Sequence, residues 1–168
     1  KIKPTTLALV LKVLLNQMPI AIKNDKVKLS SEKKTEELAN KFLDIIKLGD
    51  IIFLYGEMGV GKTTFIRYFI NGLQKKNKEK ITEITSPTFN LLNEYKIKNF
   101  QIMHYDLFRL SSSDELKNLD LFENKLNSIT LIEWPQIIKE KPKNLIELTL
   151  NYEKDHQERS AYFKGIKI

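Results

Sequence analysis

The sequence predicts an α/β fold with a mostly parallel central sheet, on three observations. Residues 51–55 form a continuous apolar run bounded by turn residues, as expected of a buried parallel strand. Segments with helical periodicity stand before and after this run, at residues 30–47 and 62–73. Further strand-like segments follow at residues 100–107 and 128–133. Elements that alternate in this way favour an α/β fold.

The two helices are predicted from apolar residues that recur every three or four positions. In residues 30–47 they stand at positions 38, 42, 45 and 46, and Gly49-Asp50 ends the helix. In residues 62–73 they stand at positions 65, 66, 69, 70 and 73. Each helix therefore has one apolar face to pack against a sheet.

The remaining elements are mostly strands. Residues 89–97 and 100–107 are predicted as two strands joined near Lys98-Asn99, and residues 145–152 and 161–168 as two late strands that pair. Ser112 and Glu115 have the spacing of a capping box, which predicts that a helix begins there.

Length and composition exclude several classes of protein. With 168 residues, of which 42% are hydrophobic, the chain can form one domain with a core. It has no cysteine, which excludes a disulfide scaffold, zinc–cysteine and iron–sulfur sites, and a cysteine nucleophile. The formal net charge of +7 permits contact with nucleic acid or another anion, although a lysine-rich solvated surface is the simpler explanation.

The first 27 residues are left unassigned, and residues 28–168 are predicted to form the domain. The apolar stretch at residues 7–15 is interrupted by Lys12 and is too short to cross a membrane. Lys1 and Lys3 before it resemble the start of a signal peptide, but no clean cleavage site follows. We expect an accessory amphipathic helix here, with Met18 as a plausible start of the native chain.

The strongest signal is a glycine-rich loop between the apolar strand and the second helix. Gly56-Glu57-Met58-Gly59-Val60-Gly61-Lys62-Thr63 matches the phosphate-loop pattern G-x-x-x-x-G-K-[ST]. Glycines let backbone N–H groups approach phosphates, and the helix N-terminus favours an anion. Lys62 would reach the β and γ phosphates, and the Thr63 hydroxyl would bind Mg²⁺. The sequence therefore predicts a P-loop NTPase-like, three-layer domain.

Such a site needs acidic groups, and two strands supply them at their carboxyl ends. Glu133 ends the strand at 128–133, and Asp106 ends the strand that also carries His104. Either carboxylate could hold the metal or orient the attacking water. Arg109 would contact phosphate or pair with a carboxylate, whereas His104 is expected to be structural. Trp134 would form either a docking surface or ordinary strand packing.

A phosphate loop also occurs in other classes of nucleotide-binding protein. Asn124-Lys125-Leu126-Asn127 lacks the final aspartate of the guanine-reading N-K-x-D motif, so adenine is favoured over guanine. A small-molecule kinase would need an arginine-rich lid, but the chain has only Arg67, Arg109 and Arg159. A non-catalytic, nucleotide-gated binding module also stays open.

Four motifs in order resemble the bacterial TsaE family over about residues 30–168. They are the phosphate loop extended to Thr64, Ser86-Pro87-Thr88-Phe89, His104-Tyr105-Asp106-Leu107-Phe108-Arg109-Leu110, and Leu131-Ile132-Glu133-Trp134-Pro135. The resemblance implies a cytoplasmic, non-membrane ATPase that uses ATP and Mg²⁺ and is slow alone. It would support tRNA threonylcarbamoyladenosine formation with the TsaD and TsaB proteins, and would meet tRNA only indirectly or in that complex.

The resemblance also implies roles for individual residues. Catalysis would fall to Glu133, Lys62 and Asp106, and the metal to Thr63, Glu133 and Asp106. Thr88 would sense the γ-phosphate from a switch-like loop, and Thr35 and Arg159 would border the nucleotide. The residues implied in nucleotide binding are Thr35, Glu57, Met58, Gly59, Val60, Gly61, Lys62, Thr63, Thr64, Thr88 and Arg159.

Overall fold

The computed structural model describes residues 26–122, 125–154 and 158–165, and places seven strands in one sheet. In chain order they are β1 (Val27–Leu29), β2 (Ile51–Tyr55), β3 (Leu92–Ile97), β4 (Phe100–Asp106), β5 (Ser128–Glu133), β6 (Leu145–Tyr152) and β7 (Arg159–Lys164). The α-helices are α1 (Glu32–Phe42) and α2 (Lys62–Lys76), and 3-10 helices form at Ser113–Asn118, Lys125–Asn127 and Pro135–Ile137.

The sheet is mixed, so the predicted mostly parallel sheet is wrong. Its strand order is β1-β7-β6-β2-β5-β4-β3. The central pairs β6–β2, β2–β5 and β5–β4 are parallel, whereas β1–β7, β7–β6 and β4–β3 are antiparallel. Short connections explain two of the antiparallel pairs: Lys98-Asn99 joins β3 to β4 and residues 153–158 join β6 to β7, and neither is long enough for the crossover that parallel strands require.

Both α-helices pack against one face of the sheet. Ser31 caps α1 by accepting a hydrogen bond from the Lys34 amide, and α2 follows the glycine-rich loop directly. The ring of Phe42 on α1 lies edge-on to Phe65 of α2, with centroids 5.4 Å apart, and contacts Phe163 of β7 at 4.8 Å. This core fixes α2, and with it the start of the helix that follows the loop.

The predicted third layer, a second layer of α-helices on the other face of the sheet, is not confirmed. Here Phe53, Tyr105 and Ile132 pack against Leu121 and Ile138, which lie in the segments after β4 and β5. In the described part of the chain, 3-10 helices and loops cover this face. The capping box is present, because the Glu115 carboxylate accepts from the Ser112 amide at 2.9 Å, but it opens the 3-10 helix Ser113–Asn118.

Some sequence predictions fall outside the described residues. They include residues 1–25, Asn124 of the guanine-like motif, His156, and the last three residues of the predicted strand 161–168. The assignment of 1–27 and 28–168 as separate segments therefore stays a prediction. Across residues 26–122, 125–154 and 158–165, no helix has both the length and the apolar character needed to cross a bilayer.

Candidate functional site

The glycine-rich loop connects β2 to α2, and its backbone requires glycine. Gly56 has φ 140°, and a Cβ there would lie 2.5 Å from the Leu150 carbonyl oxygen of β6. Gly61 has φ 115° and is the residue immediately before α2. The loop therefore turns tightly against β6 and delivers the chain to the positive end of a helix, where an anion is stabilised.

Lys62, the first residue of α2, is folded back onto this loop. Its Nζ donates to the Gly56 carbonyl oxygen at 2.8 Å and to the Glu57 carbonyl oxygen at 2.9 Å. It also lies 3.9 Å from the centroid of the Trp134 ring. Burial lowers the pKa of Lys62, while Glu133 and Asp106 act in the opposite direction. The ammonium is thus held at the loop, within reach of any group that the loop binds.

Glu133, at the end of β5, is almost fully buried. The Thr63 hydroxyl donates to its two carboxylate oxygens, at 2.9 and 3.1 Å. The Nε2 atom of the fully buried His104 lies 2.9 Å from Glu133 Oε1. Loop and sheet are therefore joined through two of the three residues predicted to hold the metal, Thr63 and Glu133.

Asp106 is the strand partner of Glu133 in the parallel pairing of β4 with β5. Its Oδ2 accepts hydrogen bonds from the hydroxyls of Ser86 and Thr88, the latter at 2.8 Å. Its Oδ1 accepts from the Phe108 amide at 3.0 Å. The carboxylate therefore fixes the loop that contains Thr88 against the end of the sheet.

These groups surround one cavity of about 410 Å³ at the carboxyl ends of the central strands. Its lining comprises Met58, Gly59, Gly61, Lys62, Thr63, Thr64, Ser86, Thr88, Asp106, Phe108, Glu133 and Trp134. Nine of these twelve residues were predicted as site residues. Ser86, Phe108 and Trp134 were not, although each lies within one of the four ordered motifs of the sequence. Trp134 also packs against Phe108 and the second-face core, so it is partly ordinary packing.

Four of the predicted residues are not among the described residues that line the cavity. Val60 is buried in the helix-side core, and Glu57 contributes a backbone carbonyl to Lys62. Thr35 is buried on α1. Arg159 lies 5.6 Å from the Tyr152 ring, and the Tyr152 hydroxyl in turn donates to the Met58 carbonyl oxygen at 3.4 Å. Arg159 therefore lies beside Tyr152, which contacts the loop.

The chemistry of the cavity fits a magnesium-bound nucleotide. Hydroxyl and carboxylate oxygens are ligands that Mg²⁺ prefers, and Thr63, Glu133 and Asp106 supply them. The described residues contain no cluster of three or more His, Cys, Asp or Glu side chains that could hold a metal alone. The remaining ligands would have to come from phosphate and water, as is usual for Mg²⁺ at phosphate sites.

Comparison with known proteins finds similar chains that carry one name. A family model described as "Threonylcarbamoyl adenosine biosynthesis protein TsaE" matches residues 29–161. A Rickettsia bellii protein named tRNA threonylcarbamoyladenosine biosynthesis protein TsaE is 44% identical over 128 residues, covering 76% of this chain and 86% of the relative. An Aquifex aeolicus protein of the same name is 32% identical over 118 residues, covering 70% and 80%.

A solved structure shares the fold. The structure described as "Crystal structure of Bacillus subtilus YdiB" superposes with a TM-score of 0.66 at 27% sequence identity, covering 86% of this chain and 87% of that one. Since the family model matches most of the chain and the relatives align over the same region, the chain belongs to the TsaE family.

Proposed function

We propose that this protein is a Mg²⁺-dependent ATPase that supports the threonylcarbamoyladenosine modification of tRNA. The observation that carries the proposal is the single cavity in which loop glycines, Lys62, Thr63 and the carboxylate of Glu133 meet. The relatives carry this modification in their names. The proposal places the protein in the cytoplasm as an accessory subunit of TsaD and TsaB, with tRNA met only in that complex.

In this proposal the protein holds ATP by its phosphates. The amides of residues 59–63 and the Lys62 ammonium donate to phosphate oxygens, which stabilises the charge that develops during hydrolysis. Lys62 is already at the loop, and it would exchange the Gly56 and Glu57 carbonyl oxygens for phosphate oxygens. When bound, Mg²⁺ neutralises charge on the β and γ phosphates.

The two carboxylates differ in what they touch. Glu133 contacts the Thr63 hydroxyl of the phosphate loop, whereas Asp106 contacts the hydroxyls of Ser86 and Thr88. We assign to Glu133 the orientation of the attacking water or of the metal's water shell. Asp106 holds Thr88 where its hydroxyl can sense the terminal phosphate.

Product analysis tests the reaction type. Purified protein with Mg-ATP is expected to release inorganic phosphate slowly, and Glu133→Ala should retain nucleotide binding while losing most of the turnover. Phosphate transferred to an acceptor instead of water would favour a small-molecule kinase. Binding with no turnover, with or without the partner proteins, would favour a nucleotide-gated binding module.

Co-purification tests the partners. The chain, mixed with TsaD and TsaB, is expected to co-elute with them in at least one nucleotide state, tested with ATP, ADP and a non-hydrolysable analogue. Absence of co-elution in every state would contradict the assignment to this complex, while phosphate release could still stand.

A further inference from the structure

We infer that His104 is a positioning residue that clamps the carboxylate of Glu133 from inside the protein. Glu133 lines the cavity, but His104 does not and has no exposed surface. The inference deepens the proposed function and rests on it for its kinetic tests. It concerns how the acidic group is held, and it assigns His104 no contact with the nucleotide.

The contacts single out one carboxylate oxygen. Glu133 Oε1 lies 2.9 Å from His104 Nε2 and accepts from the Thr63 hydroxyl at 2.9 Å, whereas Oε2 is 3.1 Å from that hydroxyl. Thr63 belongs to the phosphate loop and would change partners if it bound a metal. His104 belongs to the sheet, so its contact is the one that can stay constant.

The sheet register explains why a histidine two residues before Asp106 reaches Glu133. Asp106 is paired with Glu133 across β4 and β5, and His104 lies on the same face of β4 because side chains alternate along a strand. His104 is thus the diagonal neighbour of Glu133, a distance that a long side chain spans.

Glu133 lies where β5 ends. The next residue, Trp134, has φ 56°, a left-handed conformation, and the chain leaves the sheet there. The backbone of Glu133 is paired with β2 and β4, so the position of the residue is fixed, and hydrogen bonds orient its carboxylate. The imidazole supplies one of these contacts from the sheet, and a misplacement of about 1 Å at a reacting group can lower the rate about 100-fold.

The other ring nitrogen shows that His104 is suited to a clamp rather than to a proton relay. His104 Nδ1 is buried, and no group in the described part of the chain hydrogen-bonds to it. No side chain there is placed to pass a proton onward. Because a carboxylate oxygen accepts, Nε2 is the nitrogen that donates, and in a neutral ring this corresponds to the Nε2–H tautomer.

The kinetic test compares two substitutions with a matched control on the same strand. His104→Leu removes the donor, and His104→Gln restores an N–H donor at similar reach. Met103→Ala removes buried packing on the opposite face of β4. We expect His104→Leu to lower kcat about 10- to 100-fold with KM for ATP unchanged, as for other residues that orient a ligating group. His104→Gln should recover most of the loss, and Met103→Ala should lower stability without changing kcat or KM.

Two kinetic outcomes would overturn the inference. One is a His104→Leu variant that folds and retains kcat, or that His104→Gln does not rescue. The other comes from the double variant: if His104 acts through Glu133, adding His104→Leu to Glu133→Ala should slow turnover no further, and an additive loss contradicts this.

A spectroscopic test does not depend on hydrolysis. In nucleotide-free protein labelled with ¹⁵N-histidine, the signals absent from His104→Gln belong to His104. They should show the Nε2–H tautomer, and an Nδ1–H tautomer would overturn the clamp. If the wild-type protein releases no phosphate from ATP, the proposed function fails, while an Nδ1–H tautomer in this measurement would still overturn the clamp by itself.

Discussion

Replacing Gly56 by alanine should destabilise the protein more than the same replacement at Gly61. Both residues have positive φ, 140° and 115°, in the same loop. A Cβ at position 56 would lie 2.5 Å from the Leu150 carbonyl oxygen and 2.8 Å from Val60 Cγ1, whereas a Cβ at position 61 would meet no atom within 4 Å. The pair therefore separates backbone strain from steric overlap.

The magnitude follows from these two effects. A left-handed or otherwise sparsely populated backbone costs roughly 1–3 kcal/mol for a residue with a Cβ, and both variants carry that cost. Overpacking against a rigid backbone adds typically about 1–3 kcal/mol, and only Gly56→Ala carries it. Loss of chain entropy in the unfolded state affects both variants alike and cancels in the comparison. Gly56→Ala should be the less stable by about 1–3 kcal/mol.

Urea unfolding of the two variants measures this difference. With an m-value of about 2 kcal/mol/M, the midpoint for Gly56→Ala should lie about 0.5–1.5 M below that for Gly61→Ala. Equal midpoints at equal m-values would show that β6 does not press on the loop at Leu150. A lower midpoint for Gly61→Ala would refute the reasoning altogether.

Three further predictions concern the core, a buried tyrosine and the single tryptophan. Phe163→Ala should lower the free energy of unfolding by about 3–5 kcal/mol, because the ring is fully buried against the helices. Tyr162→Ala, on the opposite face of the same strand, should lower it by under about 1 kcal/mol, and equal urea midpoints for the two variants would contradict this. Burial raises the pKa of Tyr105 to about 12, so between about pH 10 and 12 the unfolded chain loses a proton that the native protein keeps. The free energy of unfolding should therefore fall across that window in the wild type and fall less in Tyr105→Phe. An equal fall in both proteins would contradict a raised pKa for Tyr105. Because the Lys62 ammonium lies over the Trp134 ring, Lys62→Met should change the tryptophan emission of the nucleotide-free protein, and superimposable spectra would show that the contact is absent in solution.

Features set by consecutive residues were predictable from the sequence. The strand before the loop, the loop and α2 follow one another without a gap, and each has a local signal: an apolar run, the glycine spacing of a phosphate loop, and helical periodicity. The hairpin at Lys98-Asn99 was likewise predicted at its observed position. These signals are strong because the residues that form the contacts are neighbours in the chain.

Features set by pairing across the chain were less predictable, although the pairing of the two late strands was predicted and is present as β6–β7. The alternating elements predicted parallel strands, but the strands at both sides of the central group are antiparallel. His104 and Glu133 are 29 positions apart, and their contact depends on the register of β4 against β5. The contact of the Lys62 ammonium with the Trp134 ring depends on the left-handed backbone of Trp134, directly after β5. Nothing in the neighbouring sequence indicates that conformation.

Calorimetric titration with Mg-ATP is the most direct measurement of whether residues 56–63 bind a triphosphate. The wild type and Lys76→Ala, which alters an exposed lysine on the same helix, should bind saturably and alike. Lys62→Ala, which removes the ammonium at the loop, should bind about 10- to 100-fold more weakly, as expected for one or two lost charge-assisted hydrogen bonds. Equal affinity in Lys62→Ala and the wild type, or no binding by either, would contradict a nucleotide site at this loop.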